Sequence, residues 1–208
     1  MTRSYGGVAP EQRRAERRER LLVAALDLFT TTGYQQAKIA DLCTRAGVST
    51  RNFYQEFASK EQVLLTLHEQ INNRAMDRVA ETLAAVQGSD AVTRIGKLLD
   101  TFVATITADP RIPRLNYVEA VGVSVELEAQ HQKWVARWAT FIETEACHAA
   151  KAGLSPERDY RLTAIALVGA STGLMREWQA HVPSLPVKVV AAELRALMLA
   201  GITRPAVP

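Results

Sequence analysis

The sequence predicts an all-α protein of about nine helices, an N-terminal three-helix helix-turn-helix domain joined to a larger C-terminal helical domain. Apolar residues recur every three or four positions along the chain, and no segment sustains the alternation of a half-buried strand. The few Gly and Pro residues fall between the periodic stretches, where they punctuate helices rather than interrupt them. Residues 39–61, IADLCTRAGVSTRNFYQEFASKE, supply the third observation: two short helices meeting at Gly47-Val48-Ser49, with another launched at Ser59.

Residues 1–10, with two glycines and a proline, read as a flexible arm. The first helix runs from about Glu11 to Thr31. Leu21, Leu22, Ala25, Leu28 and Phe29 keep helical spacing, and Gly33 stands where a left-handed residue closes a helix. Arg13, Arg14, Arg17 and Arg18 read as a solvated face interleaved with Glu11, Glu16 and Glu19, with a groove-contacting arm as the alternative. The second helix spans about Lys38–Arg45 and the third about Thr50–Phe57. The fourth opens at Ser59 with a capping box, Ser59 accepting from the Gln62 backbone while the Gln62 amide reaches back. It runs to about Val86, roughly 40 Å at about 1.5 Å per residue, and Gly88 stops it.

The fifth helix covers about Asp90–Thr107, and a short sixth, interrupted by proline, about Pro110–Val121. The seventh spans about Val123–Ala152 and is closed by Gly153. Ser155 as N-cap and Pro156 at the first position open the eighth, which runs to about Ala180. The ninth occupies about Pro186–Gly201. The expected organisation is therefore an arm (1–10), a helix-turn-helix domain (11–58), a second helical domain (59–202) and a frayed tail (203–208).

Composition bounds the function. Of the 208 residues 48% are hydrophobic and 23% charged, an ordinary globular balance. Cys43 and Cys147 lie far apart with no CxxC, against a disulfide framework or a zinc site. No GxSxG, HExxH, P-loop or paired-carboxylate motif occurs and the four histidines are scattered, so neither an enzyme nor a cofactor is expected. No apolar run approaches the roughly 18 residues of a membrane span, and the first residues lack a signal peptide's apolar core; a cytoplasmic location is expected. Residues 1–60 carry ten Lys and Arg against six acids, whereas residues 61–208 carry fifteen against sixteen. The positive excess thus coincides with the turn motif, as a phosphate-facing module requires.

Each residue of that motif has a physical task. Ile39, Ala40, Leu42 and Cys43 turn an apolar side to the first helix, and Cys43 reads as a small buried hydrophobe. Ala46 lets two helices pass closely, Gly47 supplies a positive φ, Val48 plugs the gap, and Ser49 caps the next helix. Thr50, Arg51 and Asn52 then occupy the open end of a recognition helix, where side chains reach base edges. Phe53 and Phe57 face the core, Tyr54 turns its hydroxyl outward, and Lys60 sits at a helix N-terminus that suits a phosphate.

Taken together, Gly33-Tyr34, Ile39, Leu42, Ala46-Gly47-Val48-Ser49, Phe53-Tyr54, Phe57 and Ser59-Lys60-Glu61 resemble the N-terminal domain of tetracycline-repressor-like (TetR family) transcription regulators over about residues 11–65. The resemblance implies phosphate contacts from Thr44 or Arg45, Tyr54 and Lys60, and base contacts from Thr50, Arg51 and Asn52, with Ser49 beside them. Two departures matter. Ala37 stands where the family usually has a capping Thr, with Lys38 as the compensating contact, and Glu56 stands where a His is common, an acid that repels phosphate.

In the second domain Leu127, His131, Trp134, Trp138, Phe141 and Glu145 share one face of the seventh helix. That face reads equally as a core stripe or as a wall of a ligand cavity; the resemblance to ligand-responsive regulators tilts it toward a cavity. The expected binding set is Phe102, Asn116, Tyr117, His131, Trp134, Trp138, Phe141, Glu145, Met175 and Trp178, and it suits a small hydrophobic ligand with one or two polar groups. Small residues on the eighth helix, Ala166 and Ala170 among them, and an apolar stripe on the ninth (Val187, Val190, Ala191, Leu194, Leu197, Met198) form the dimer surface the resemblance implies, with intramolecular core as the alternative. The expected partners are double-stranded DNA bearing a palindromic operator, a small hydrophobic ligand and a second copy of the chain. The expected function is a dimeric repressor released by ligand; the alternative is a regulator of the same fold with no small ligand.

Overall fold

The computed structural model describes residues 10–180 and 185–203. The expected flexible arm, apart from Pro10, and the tail beyond Thr203 lie outside the described residues, as does His181. Among the described residues the structure is helical throughout, with no strand. They fall into two compact units that divide between Leu67 and His68.

The first unit holds α1 (Pro10–Thr31), α2 (Ile39–Ala46), α3 (Thr50–Glu56) and the opening turns of α4 (Lys60–Ala85). Its core follows the apolar pattern: Leu21, Ala25, Phe29, Leu42, Phe53, Phe57 and Leu64 are essentially inaccessible. Phe29 meets Tyr34 edge-on at 5.2 Å, and Phe53 packs 6.0 Å from Phe57. Truncating one such ring to Ala costs about 3–5 kcal/mol. Gly47 has φ 62°, and its N–H and that of Val48 close on the carbonyls of Thr44 and Cys43. Ser49 accepts from Asn52 N at 3.2 Å and so caps α3. At α4, Ser59 accepts from Gln62 N at 3.1 Å, while the Gln62 amide oxygen accepts from Ala58 N, one residue before the cap. Ala37 is buried, and Lys38 at the α2 N-cap makes no side-chain cap.

The second unit contains the rest of α4, α5 (Ala91–Thr107), α6 (Arg111–Arg114), a π-helix (Leu115–Glu119), α7 (Val125–Lys151), α8 (Arg161–Ala180) and α9 (Val187–Thr203). Asp90 caps α5 through Thr93 N, and Ser124 caps α7 through Leu127 N. α7 packs on α8, α5 on α9, and α8 on α9. Gly201 lets α9 close on α8, since a Cβ there would meet Leu167 and Thr163 at 3.3–3.4 Å. The proline-interrupted sixth helix resolves into one α turn and the π-helix, closed by Ala120 N on Leu115 O at 3.0 Å.

Two expectations are corrected here. α8 starts at Arg161, not at Ser155. Ser155 donates its hydroxyl to Ala146 O, and Asp159 accepts from Arg161 N at 2.8 Å as the local cap. The buried Tyr160 donates toward Pro156 O and Ile202 O, which keeps 155–160 out of the helix. The α9 stripe is also largely internal. Val190, Leu194 and Met198 belong to the chain's own core, with Val187 and Ala191 packed against it, because α9 must cover α5 and α8. Of the eight predicted interface residues, only Ala166 and Leu197 are exposed.

Candidate nucleic-acid interface and ligand cavity

In the first unit the open end of α3 faces solvent. Thr50, Arg51 and Tyr54 are exposed, Asn52 is half-buried, and Ser49, Thr44 and Lys38 are exposed alongside. Thr44 spends its hydroxyl hydrogen on Ala40 O at 3.0 Å. Burial raises the Cys43 thiol's pKa against an opposing hydrogen bond with Thr50, so Cys43 remains a protonated, small apolar side chain.

Two cations expected on phosphates are engaged within the unit. Arg45 pairs with Asp27 of α1. Lys60 donates to Tyr34 O at 2.7 Å, Ala37 O at 2.9 Å and Gln35 O at 3.4 Å, and lies 4.4 Å from the Tyr34 ring centre. Its three N–H donors are thus directed at the carbonyls of the α1–α2 turn, and burial lowers its pKa. This departs from the expected free ammonium at the N-terminus of α4.

Glu56 is drawn inward, its side chain 1% exposed. Arg17 grips it through two donors at 2.5 and 3.0 Å, Arg14 adds a third at 3.1 Å, and Arg18 bonds the Glu56 carbonyl at 2.9 Å while stacking over Phe57. Burial alone raises its pKa, but the hydrogen bonds and charges of Arg17 and Arg14 prevail and hold it below the usual carboxylate range. Arg14, Arg17 and Arg18 are therefore not merely a solvated face; they anchor the C-terminus of α3. The legible signal was their shared helical face, and the missing one was the acid they meet, some forty residues on.

In the second unit a cavity of about 50 Å³ lies among α4, α5, the π-helix, α7, α8 and α9. Six of the ten expected residues line it: Phe102, Asn116, Tyr117, His131, Trp134 and Trp138. The other four lie elsewhere, each for a physical reason. Glu145 is held by Arg94 at 2.6 Å, and with Phe141 it borders a separate cleft of about 520 Å³. Met175 is fully packed in the core, and Trp178 donates its indole N–H to Leu185 O at 2.8 Å.

The cavity is apolar around Leu98, Leu99, Phe102, Trp138, Ile142, Val168 and Met198, and polar at Asn72, Asn116, Tyr117, His131, Ser171 and Thr172. Asn72 donates to Asn116 Oδ1 at 3.1 Å and to His68 O at 2.9 Å. Trp134 donates to Glu69 at 2.9 Å. His68 is pushed down to about 4, first by burial and then by neighbouring His131, against a smaller opposing pull from Glu69. Burial pushes Tyr117 up to about 12 against a hydrogen bond with Asn116. Sequence reasoning missed Asn72. Its signal was an amide pair, Asn72-Asn73, between the apolar positions Ile71 and Ala75 of a helix.

This geometry can be set beside known proteins. The sequence model of bacterial regulatory proteins of the tetR family matches residues 21–67, the segment that carries α2, the turn and α3. The HTH-type transcriptional regulator EthR of Mycobacterium tuberculosis is 30% identical over 173 residues, spanning 80% of this chain and 77% of the relative. The chain belongs to the TetR family. The HTH-type transcriptional activator FasR of Mycolicibacterium smegmatis is 28% identical over 172 residues, 79% of this chain and 73% of its own. Among solved structures, the transcriptional regulator FadR from Bacillus subtilis in complex with stearoyl-CoA superposes with a TM-score of 0.74 at 16% identity, covering 88% of this chain and 98% of that one. This TetR protein is a transcriptional regulator with a DNA-binding helix-turn-helix, and the all-α fold extends over its second unit. No helix among its described residues is long and apolar enough to cross a membrane.

Proposed function

We propose that this TetR regulator is a homodimeric repressor that grips a palindromic operator through α3 and releases it when a small hydrophobic ligand enters the cavity of the second unit. The observation that carries the DNA reading is the state of the charges around α3. Arg45, Lys60 and the Arg14–Arg17–Glu56 cluster are engaged, whereas Arg51 is exposed and makes no ion pair among the described residues. Thr50, Arg51 and Asn52 read bases; Lys38, Thr44, Ser49 and Tyr54 meet phosphates. The cavity's aromatic lining supports a hydrophobic ligand, and so does FadR from Bacillus subtilis, a protein of the same fold in complex with stearoyl-CoA.

Exposed apolar residues support dimerisation. Leu162, Ile165, Ala166, Gly169 and Gly173 follow one exposed face of α8, and Val189, Ala192, Ala196 and Leu197 lie along α9. A two-fold dimer repeats its half-site about 34–36 Å along the duplex. Selection from a random DNA library tests the proposal: enrichment of a palindrome with that half-site spacing supports it, and no enrichment contradicts it. The cavity's small volume favours a second reading, a TetR regulator whose second unit dimerises or binds a protein and takes no ligand. A broad apolar library that leaves Trp134 and Trp138 fluorescence unchanged would select that reading.

A further inference from the structure

The positive excess of the first unit rests on fewer side chains than its sequence counts. Its described residues include nine Lys and Arg. Five are engaged: Arg14 and Arg17 on the Glu56 carboxylate, Arg18 on the Glu56 carbonyl, Arg45 on Asp27, and Lys60 on the carbonyls of the α1–α2 turn. Arg13, Arg20, Lys38 and Arg51 remain, each exposed and without an ion pair or side-chain hydrogen bond among the described residues. Arg51 and Lys38 already have tasks on DNA, and Arg13 stands near the start of α1, about two turns before Arg20.

Arg20 differs from an ordinary solvated arginine in where it is held. Its Nη1 lies beside Gly47, where an added Cβ would stand 3.9 Å away. Gly47 leads through Val48 and Ser49 to the exposed end of α3. The same face of α1 carries Asp27, about two turns on, whose pair with Arg45 in the last turn of α2 docks that face on the end of α2. Neighbouring acids do not claim the guanidinium: Glu16, one turn back, accepts from Gln12 at 3.1 Å, and Asp27 is taken by Arg45. Glu16 and Glu19 keep their charges on the exposed side of α1, so a phosphate is met by the reach of Arg20 to the turn and not by α1 as a whole.

We propose that Arg20 grips a DNA phosphate at one edge of the major groove that α3 enters, with Lys38 at the other edge. Lys38 is the N-cap of α2 and Gly47 its C-cap, so the eight-residue helix holds the two cations about 12 Å apart along its axis. The major groove is about 12 Å wide. Cations spaced to its edges meet the phosphate walls, which fix register without carrying sequence information, and base edges are left to Thr50, Arg51 and Asn52. This rests on the DNA reading above, in which α3 enters the groove.

The test uses the full chain, the palindrome selected above and a scrambled duplex of equal length, with affinities from competition binding across a salt series. Arg20→Gln weakens both duplexes alike and reduces the salt slope by about one for each half-site bound. The wild-type advantage then shrinks about three- to fourfold per half-site between about 50 and 200 mM salt. Arg20→Lys keeps most of the slope, because a phosphate contact needs charge more than the guanidinium's shape. Both variants keep the wild-type Tm, and adding Lys38→Gln to Arg20→Gln doubles the slope loss.

An unchanged slope in Arg20→Gln leaves Arg20 a solvated side chain and overturns the proposal. Lost discrimination at one base pair, with scrambled affinity intact, makes it a base reader; a lowered Tm with a slope that Arg20→Lys does not restore makes it structural. Either result overturns the phosphate grip, and a double variant no weaker than Arg20→Gln overturns the groove span. Failure of the α3 reading shows separately, as Arg51→Ala losing no discrimination, because the Arg20 slope is read on scrambled DNA as well. If the wild-type protein binds neither duplex, both fall together.

Discussion

Glu56 shows how one side chain's role depends on what lies opposite. An acid at the end of the recognition helix repels DNA unless its charge is spent, and here Arg14 and Arg17 spend it while Arg18 holds the backbone carbonyl. Because its folded pKa is depressed, the unfolded chain binds more protons as the pH drops. The cluster's contribution is therefore complete above the unfolded value, about 4.3, and is lost as pH falls through the lower folded value. Thermal melts from pH 3 to 7 should show an acid loss of stability that Glu56→Gln flattens; an identical slope in both proteins contradicts the cluster. Lys60 is likewise spent inside the unit, on backbone carbonyls. Removing a cation that serves carbonyls costs about 1.5–3 kcal/mol of stability, so Lys60→Met should lower Tm. It should leave the salt dependence of DNA binding unchanged, where a lost phosphate contact would reduce that slope by about one.

At the scale of elements, local chemistry decides the turn and tertiary demand decides the rest. Gly47 at φ 62° cannot be replaced cheaply: Gly47→Ala should cost about 1–2 kcal/mol, and Ser49→Ala, which removes the α3 cap, about 1 kcal/mol. Denaturant midpoints at constant m-value check both. These elements were legible in the sequence because spacing and capping are written in adjacent residues. The start of α8 was not. Ser155-Pro156 is a sound local start signal, yet burying Tyr160 against Ile202 O, a partner far along the chain, overrides it. The π-helix was hidden for the same reason, since a proline predicts an interruption without its form. The aromatic face of α7 was legible only in part: Trp134 and Trp138 reach the cavity, while Phe141 and Glu145 belong to another cleft because Arg94 claims the carboxylate.

For the whole molecule, periodicity identified an apolar α9 but could not say which neighbour covers it. The chain itself takes Val190, Leu194 and Met198, and an outward face led by Leu162 and Ile165 of α8 is left exposed, the face proposed above for a second copy. Gly169 separates the two uses. A Cβ there meets nothing within 4 Å, so Gly169→Arg leaves the protomer intact and gains up to about 1 kcal/mol of helix propensity. In the proposed dimer the new side chain is driven into the partner. Analytical ultracentrifugation should show a folded monomer that has lost tight operator binding; an unchanged dimer removes α8 from the interface.

In the proposed repressor the exposed first turn of α3 reads DNA sequence. Competition binding of wild-type protein and Arg51→Ala against the selected palindrome and scrambled DNA tests it most directly. Losing Arg51 should cost about 1–3 kcal/mol of discrimination at one base pair of each half-site while non-specific affinity changes far less. Undiminished discrimination, or an equal loss on every sequence, would contradict the account.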